Sequence, residues 1–240
     1  MTTLFISDLH LEADRPEIGE QFLAFLAGPA RTADALYILG DLFEAWIGDD
    51  DPSPYYAEMK AAIRTLADSG VRVFFMHGNR DFMIGERFAT DTGVTLLADP
   101  CPVELYGEKV LLSHGDALCT DDVEYQQVRT MTRNPDWQAM MMSKSVEERI
   151  AFARQAREQS AAHHKGAAME IVDVNQDAVE ATIREHGVDI LLHGHTHRPA
   201  VHPFHVDDHP VHRIVLGDWY EQGSMVEWDE DGPRLEELPR

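Results

Sequence analysis

Cys101 and Cys119 are the only cysteines among the 240 residues. Two thiols cannot build a disulfide framework, and their spacing is not the C-x-x-C of a thiolate zinc or redox site, so both read as buried free thiols. Lysine is almost as scarce, with 4 residues beside 16 Arg. Basic charge as a whole is in deficit, 20 Lys and Arg against 43 Asp and Glu, a formal −23 that repels polyphosphate backbones and excludes general nucleic-acid binding. Asp supplies 23 of the acidic residues. Abundant Asp with scarce Lys fits either a salty cytoplasm or the codon bias of the source genome. Long apolar runs are missing as well. No stretch approaches the roughly 18 residues of a membrane span, and no basic segment precedes the first apolar run, Leu4-Phe5-Ile6, so a cytoplasmic chain opening on a strand is expected.

What is present suffices for a substantial core, since 44% of the residues are hydrophobic. Short β-rich runs at Thr3 to Ser7, Ala35 to Leu39, Val71 to Met76, Lys109 to Ser113 and Val188 to Leu192 alternate with helical periodicity at Gly19 to Ala30, Pro54 to Asp68 and Asn175 to His186. That alternation predicts a layered α/β fold. After Pro199 four short alternating runs, Ala200 to Val206, Val211 to Leu216, Ser224 to Trp228 and Pro233 to Leu238, predict an antiparallel meander closing the domain. Residues 123–172 stand apart. They carry almost no strand signal and predict two helices, about Asp122 to Arg133 and Ser145 to Ser160, joined through Asn134-Pro135-Asp136-Trp137 and a Met-rich stretch. Seven basic and six acidic residues leave this stretch near neutrality while the rest of the chain is strongly acidic. The expected division is therefore a core of 1–122 with 173–240 and a helical insertion of 123–172.

Five short polar motifs each begin where an apolar strand ends: Asp8-Leu9-His10, Gly40-Asp41, Gly78-Asn79-Arg80-Asp81, His114-Gly115-Asp116 and Gly194-His195-Thr196-His197. In open α/β sheets ligands bind beyond the strand C-termini. Asp, Asn and His together offer hard oxygen and imidazole nitrogen, a donor set for Mn²⁺, Fe²⁺ or Zn²⁺ rather than Ca²⁺ or a thiolate cluster. Asp8, His10, Asp41, Asn79, His114, His195 and His197 are more ligands than one ion requires. Two ions sharing one carboxylate would use them all. Glycines 40, 78, 115 and 194 allow positive φ or close backbone approach around small ions. Of the other histidines, His77, His193, His202, His205, His209 and His212 read as structural or surface residues.

The order D-x-H, G-D, G-N-x-D, H-G-D, G-H-x-H resembles that of the calcineurin-like metallophosphoesterases, from Asp8 to His197. The resemblance implies a four-layer αββα sandwich of two mixed sheets. It also implies two divalent ions, one held by Asp8, His10, Asp41 and His197, the other by Asp41, Asn79, His114 and His195. Closer still, Phe43-Glu44-Ala45-Trp46-Ile47-Gly48-Asp49-Asp50-Asp51, Gly78-Asn79-Arg80-Asp81-Phe82, His114 to Asp122, Asp173-Val174-Asn175-Gln176 and Gly194 to Ala200 are similar to the UDP-2,3-diacylglucosamine pyrophosphohydrolase family.

The resemblance implies a metal-dependent enzyme, with Mn²⁺ the expected ion, in which hydroxide generated at the metals attacks the α-phosphorus of UDP-2,3-diacylglucosamine. The products are UMP and 2,3-diacylglucosamine 1-phosphate (lipid X), in lipid A biosynthesis. Asn79, Arg80 and His195 then stabilise charge, and Arg80, where many superfamily members carry histidine, offers a permanent planar cation to phosphate. The alternative for Arg80 is a structural pair with Asp81. On the insertion, Asp122, Tyr125 and Ser160 are implied for the headgroup. His164 or Lys165 supplies the cation where relatives often have lysine and this chain has Ala167. Trp137, Met140, Met141, Met142, Ile150 and Phe152 are expected to line an acyl channel. Arg129, Arg133, Lys144, Arg149, Arg154 and Arg157 are expected to favour peripheral contact with the cytoplasmic face of the inner membrane. A different dinuclear enzyme, acting on soluble nucleotide pyrophosphates or phosphodiesters, is the competing expectation.

Overall fold

A computed structural model describes residues 1–166 and 173–240, with the side chains of 159–166 outside the description. In chain order the first elements are β1 (Thr3–Ile6), α1 (Pro16–Ala27), β2 (Ala35–Ile38), α2 (Pro54–Asp68), β3 (Arg72–Met76), α3 (Glu86–Thr92) and β4 (Thr95–Leu97). Then come β5 (Cys101–Leu105), β6 (Glu108–Ser113), α4 (Val123–Thr132), α5 (Pro135–Met142), α6 (Val146–Gly166) and α7 (Gln176–His186). The chain closes with β7 (Ile190–His193), β8 (Ala200–Val206), β9 (His209–Val215), β10 (Gly223–Asp229) and β11 (Gly232–Leu238).

Two mixed sheets form, one ordered β11-β10-β1-β2-β3-β4 and the other β5-β6-β7-β9-β8. The side-chain period of two in a strand sorts residues into three apolar layers. Leu4, Ile6, Leu36, Ile38, Val73 and Phe75 pack with Phe22 of α1, Ile63 of α2 and Phe88 of α3. Their neighbours Phe5, Tyr37 and Met76 turn the other way and meet Val110, Leu112, Ile190, Leu192 and Ile214 between the sheets. Leu111, Leu191 and Val211 face outward against Val179 and Ile183 of α7. Helices, sheet, sheet and helix thus make the αββα arrangement that the resemblance implied.

The meander expected after Pro199 is instead two hairpins on different sheets. β8 and β9 join the second sheet, β9 running parallel to β7, while β10 and β11 join the first, β10 antiparallel to β1. Alternation specifies that a segment is a strand; which edge it completes depends on contacts remote in sequence. Short β4, β5 and α3 add elements that the periodicity did not mark. α1 starts earlier than expected, at Pro16, and stops before Gly28. Among the described residues of the insertion there are three helices where two were expected. Asn134, read as part of a linker, caps α5 by accepting from Asp136 N–H at 2.8 Å, with Pro135 in the first turn.

Candidate active site

β1, β2 and β3 run parallel in register, as do β6 and β7, so within each sheet the motifs leave their strands in a common direction. Five of the seven candidate ligands, Asp8, His10, Asp41, His195 and His197, adopt positive φ, at 57°, 52°, 50°, 68° and 55°. For residues with a Cβ this costs about 1 kcal/mol or more each, strain that clusters at functional sites. Backbone bonds between loops hold it: Asp8 N–H donates to Gly40 O at 3.1 Å, His10 N–H to Asp41 O at 3.0 Å and Gly194 N–H to His114 O at 2.9 Å. The motif glycines divide by role. Gly40 and Gly115 take φ of 92° and 112°, whereas a Cβ on Gly78 would overlap Asp41, and one on Gly194 would overlap Ser7 and Asp8.

The side chains converge into two groups. His197 Nε2 lies 3.3 Å from Asp8 Oδ1 and 3.2 Å from His10 Nε2, which is 3.9 Å from Asp41 Oδ2. In the second group His114 Nε2 is 3.0 Å from Asn79 Oδ1 and 3.8 Å from Asp41 Oδ1, and His195 Nδ1 is 2.9 Å from Asn79 Oδ1. Asp41 directs one oxygen to each group.

The outer ring nitrogens decide what these contacts are. His10 Nδ1–H donates to Glu44 Oε2 at 2.8 Å, His114 Nδ1–H to Leu39 O at 2.9 Å, and His197 Nδ1 faces Asp218 Oδ2 at 3.3 Å. With Nδ1 protonated, each neutral imidazole turns its Nε2 lone pair inward, the tautomer that binds metal. Acceptors then face acceptors across about 3 Å: Nε2 against Nε2, and Nε2 against an amide oxygen. Asp8 Oδ1, fully buried, has no hydrogen-bond partner among the described residues. A cation at each group satisfies all of them.

The electrostatics show what competes with a cation there, a proton on the inward ring nitrogen. Burial alone would raise the Asp8 carboxyl, but His197, His114 and His10 hold it below the usual carboxylate range. Burial would lower both rings, yet Asp8 and Asp218 lift His197 to about 10, and Asp41 and Asp8 lift His114 to about 9. His195, buried beside His114, falls to about 3. The carboxylates here create a field that calls for positive charge, and oxygen with imidazole donors fits divalent Mn, Fe or Zn.

Arg80, Tyr125, Asp122, Asn79 and His195 all line one cavity of about 570 Å³. The Arg80 backbone N–H donates to Asp41 Oδ1 at 2.8 Å. Both oxygens of Asp81 are engaged by backbone N–H groups of Gly78 and Leu42, each at 2.8 Å, so Asp81 ties the second and third motif loops together. Asp122 caps α4, accepting from Tyr125 N–H at 3.0 Å. The Tyr125 ring stacks on His195 with centroids 5.8 Å apart, and its hydroxyl donates to Asp116 Oδ2 at 2.6 Å. Ser160, His164 and Lys165 lie on the last turns of α6 with side chains outside the described residues, and Ala167 lies outside them altogether.

Of the expected acyl-channel residues, Trp137, Met141 and Phe152 line the cavity, joined by Trp46, Phe82 and Met83. Trp137 is 6.0 Å from Phe82 and 5.7 Å from Phe152, ring centre to ring centre. Met140, Met142 and Ile150 are exposed and outside the lining. Four of the six basic residues expected to favour membrane contact have partners within the chain. Arg149 is 3% exposed and grips Asp50 and Ile47 O, Arg129 pairs with Asp116, Arg133 donates to Gly78 O, and Arg157 pairs with Glu12. These four guanidiniums are engaged by carboxylates and carbonyls of the chain itself, with Arg149 buried and the Arg157 side chain still 38% exposed. Glu44, Asp218, Tyr220 and Asp116 are the supporting residues that spacing missed; only Glu44 and Asp116 fall inside the motifs quoted above.

Known proteins can now be set beside this geometry. The calcineurin-like phosphoesterase family model matches residues 1–199. The UDP-2,3-diacylglucosamine hydrolase of Stenotrophomonas maltophilia strain R551-3 is 53% identical over 247 aligned residues, covering 100% of both chains. Its namesake in Xanthomonas axonopodis pv. citri is 52% identical with 99% of each chain covered, and that of Enterobacter sp. strain 638 is 51% identical with 100% covered.

Proposed function

Because the chain belongs to the calcineurin-like phosphoesterases and, within them, to the UDP-2,3-diacylglucosamine hydrolases, we propose that it cleaves the pyrophosphate bond of UDP-2,3-diacylglucosamine. Water enters at the α-phosphorus, releasing UMP and lipid X for lipid A assembly. The observation that carries this reading is the continuity of the polar centre with an apolar cavity. Asn79, Arg80 and His195 share their roughly 570 Å³ space with Trp46, Phe82, Trp137 and Phe152. A diphosphate bearing acyl chains needs both.

Asp8, His10, Asp41 and His197 would hold one divalent ion and Asp41, Asn79, His114 and His195 the other, with Mn²⁺ well suited to the set. Bound there, the ions supply Lewis-acid neutralisation of phosphate charge and acidify water. The protein groups do the rest. Arg80 presents a planar, always-charged fork to the diphosphate oxygens, and the departing phosphate ester requires no proton from it. Asn79 and neutral His195 orient the reacting phosphate, with Tyr125 stacked on the His195 ring. Residues 123–172 act as a helical cap, with Phe82, Trp137, Met141 and Phe152 receiving acyl chains. Asp122, Tyr125, Ser160 and either His164 or Lys165 meet the glucosamine and uridine.

Arg80→Ala is expected to lower kcat/KM on the order of 10²-fold, the usual worth of one charge-stabilising group, with metal content unchanged. A loss below tenfold would return Arg80 to a structural role. The substrate is tested by comparing Mn²⁺-dependent UMP release from UDP-2,3-diacylglucosamine with that from UDP-N-acetylglucosamine. The lipid substrate is expected to be faster by at least about 10²-fold, since burying its acyl chains contributes about 0.8 kcal/mol per methylene. Equal or greater activity on the soluble nucleotide sugar would establish the competing reading.

No helix among the described residues is long and apolar enough to cross a membrane. Exposed Val123, Met140, Met142 and Ile150 lie on α4, α5 and α6 outside the cavity lining, which supports peripheral attachment through these helices on the cytoplasmic side of the inner membrane. Sedimentation with vesicles of anionic lipid at low salt checks this. The intact chain is expected to pellet, and a Met140→Ser, Met142→Ser, Ile150→Ser variant to remain in solution; identical behaviour of the two would remove the proposal.

A further inference from the structure

Arg129 in the last turn of α4 and Arg133, which caps its C-terminus, reach past the cavity into the loops that carry the second ligand group. Arg129 Nε donates to Asp116 Oδ2 at 2.9 Å, and its Nη2 lies 3.6 Å from Asp99 Oδ2. Arg133 Nη2 donates to Gly78 O at 2.9 Å and lies 3.8 Å from Asp116 Oδ2. These are the loops of His114 and Asn79. Asp99 in turn accepts from Ser113 Oγ at 2.8 Å and from His114 N–H at 3.3 Å through Oδ1. On the same helix, Gln126 Nε2 donates to Asp116 O at 2.8 Å, and Tyr125 stacks on His195. All three residues that complete this group with Asp41 are thereby braced from α4.

The group of Asp8, His10 and His197 is braced differently. Glu44 holds His10, Asp218 holds His197, and Tyr220 stacks on His10 with centroids 5.3 Å apart; none of these lies on α4. Asp116 is fully buried, and Arg129, Arg133 and the Tyr125 hydroxyl all meet its Oδ2, so the loop position depends on groups from α4 and its C-terminal end.

We propose that Arg129 and Arg133 are positioning residues for one ion position only, that of Asn79, His114 and His195, so that α4 serves the catalytic centre as well as the cap. The inference rests on the dinuclear reading above. Ligand-orienting groups of this kind are worth about 10- to 100-fold in metal affinity.

Mn²⁺ titration of the full chain by equilibrium dialysis, with electron paramagnetic resonance at saturation, tests it. The wild type is expected to bind two ions with a coupled signal. Arg129→Ala with Arg133→Ala should keep one ion at wild-type affinity, weaken the other about 10- to 100-fold, and show isolated Mn²⁺ at intermediate loading. Arg149→Ala, which frees α6 from Asp50 without touching α4, should retain both ions. If the double alanine variant does not fold, Arg129→Lys with Arg133→Lys, which keeps charge but loses the planar fork, should still show the selective loss to a smaller degree. Equal weakening of both ions, no weakening, or the same selective loss in Arg149→Ala overturns the inference while two ions in the wild type leave the dinuclear reading standing. Fewer than two ions in the wild type overturns that reading and this inference with it.

Discussion

Asp41→Ala is expected to lower turnover of UDP-2,3-diacylglucosamine by at least about 10³-fold, since Lewis-acid stabilisation is worth several kcal/mol and each 1.36 kcal/mol is a decade. Its two oxygens lie 3.8 Å from His114 Nε2 and 3.9 Å from His10 Nε2, one toward each ligand group. The same carboxylate accepts from the Arg80 N–H, and the Asp41 carbonyl accepts from the His10 N–H. The substitution thus removes a ligand from both positions and loosens the strained loops beside them. Asp41→Asn separates these effects, since it keeps the shape and loses the charge. Steady-state kinetics at saturating Mn²⁺ should show both variants near background; activity within tenfold of wild type in either would mean that Asp41 is not shared between ions.

Gly78→Ala is expected to cost more than about 10²-fold, although it changes no group that touches substrate. A Cβ at residue 78 overlaps the Asp41 carboxylate and backbone nitrogen, and neither can move without moving a ligand. Displacement by about 1 Å at a reacting centre is enough for a loss of that order. Gly107→Ala is the comparison. Gly107 sits between β5 and β6 at φ 90° with nothing within 4 Å of an added Cβ, so alanine there brings backbone strain of about 1 kcal/mol and leaves activity intact. Thermal melts and kinetics on both variants check the contrast. If Gly78→Ala were as active as Gly107→Ala, the close packing of the motif loops would not be what sets the ligand geometry.

The parts of this molecule that sequence made legible are those governed by local rules. Apolar runs such as Leu4-Phe5-Ile6, ended by Asp8-x-His10, located both the strands and the ligands beyond them, because parallel buried strands are continuous in apolar character and stop where polar loops begin. What local rules could not supply is direction and partnership. The alternation of Ala200 to Leu238 marked strands but not that β8 with β9 and β10 with β11 would finish different sheets. A charge count over 123–172 found the arginines, yet no count says where a guanidinium points, and Arg129, Arg133, Arg149 and Arg157 point to carboxylates and carbonyls of the chain itself. Nor does spacing reveal that Glu44 would hold His10 across 34 residues. The positive φ at Asp8 and His10 likewise comes from bonds to Gly40 and Asp41 on the next strand's loop, not from the residues themselves.

The central claim is that water attacks the α-phosphorus at this centre. Hydrolysis of UDP-2,3-diacylglucosamine in ¹⁸O-labelled water, with Mn²⁺ and mass analysis of both products, tests it most directly. The account predicts the label in UMP and none in lipid X; label in lipid X would place the attack at the other phosphorus and contradict it.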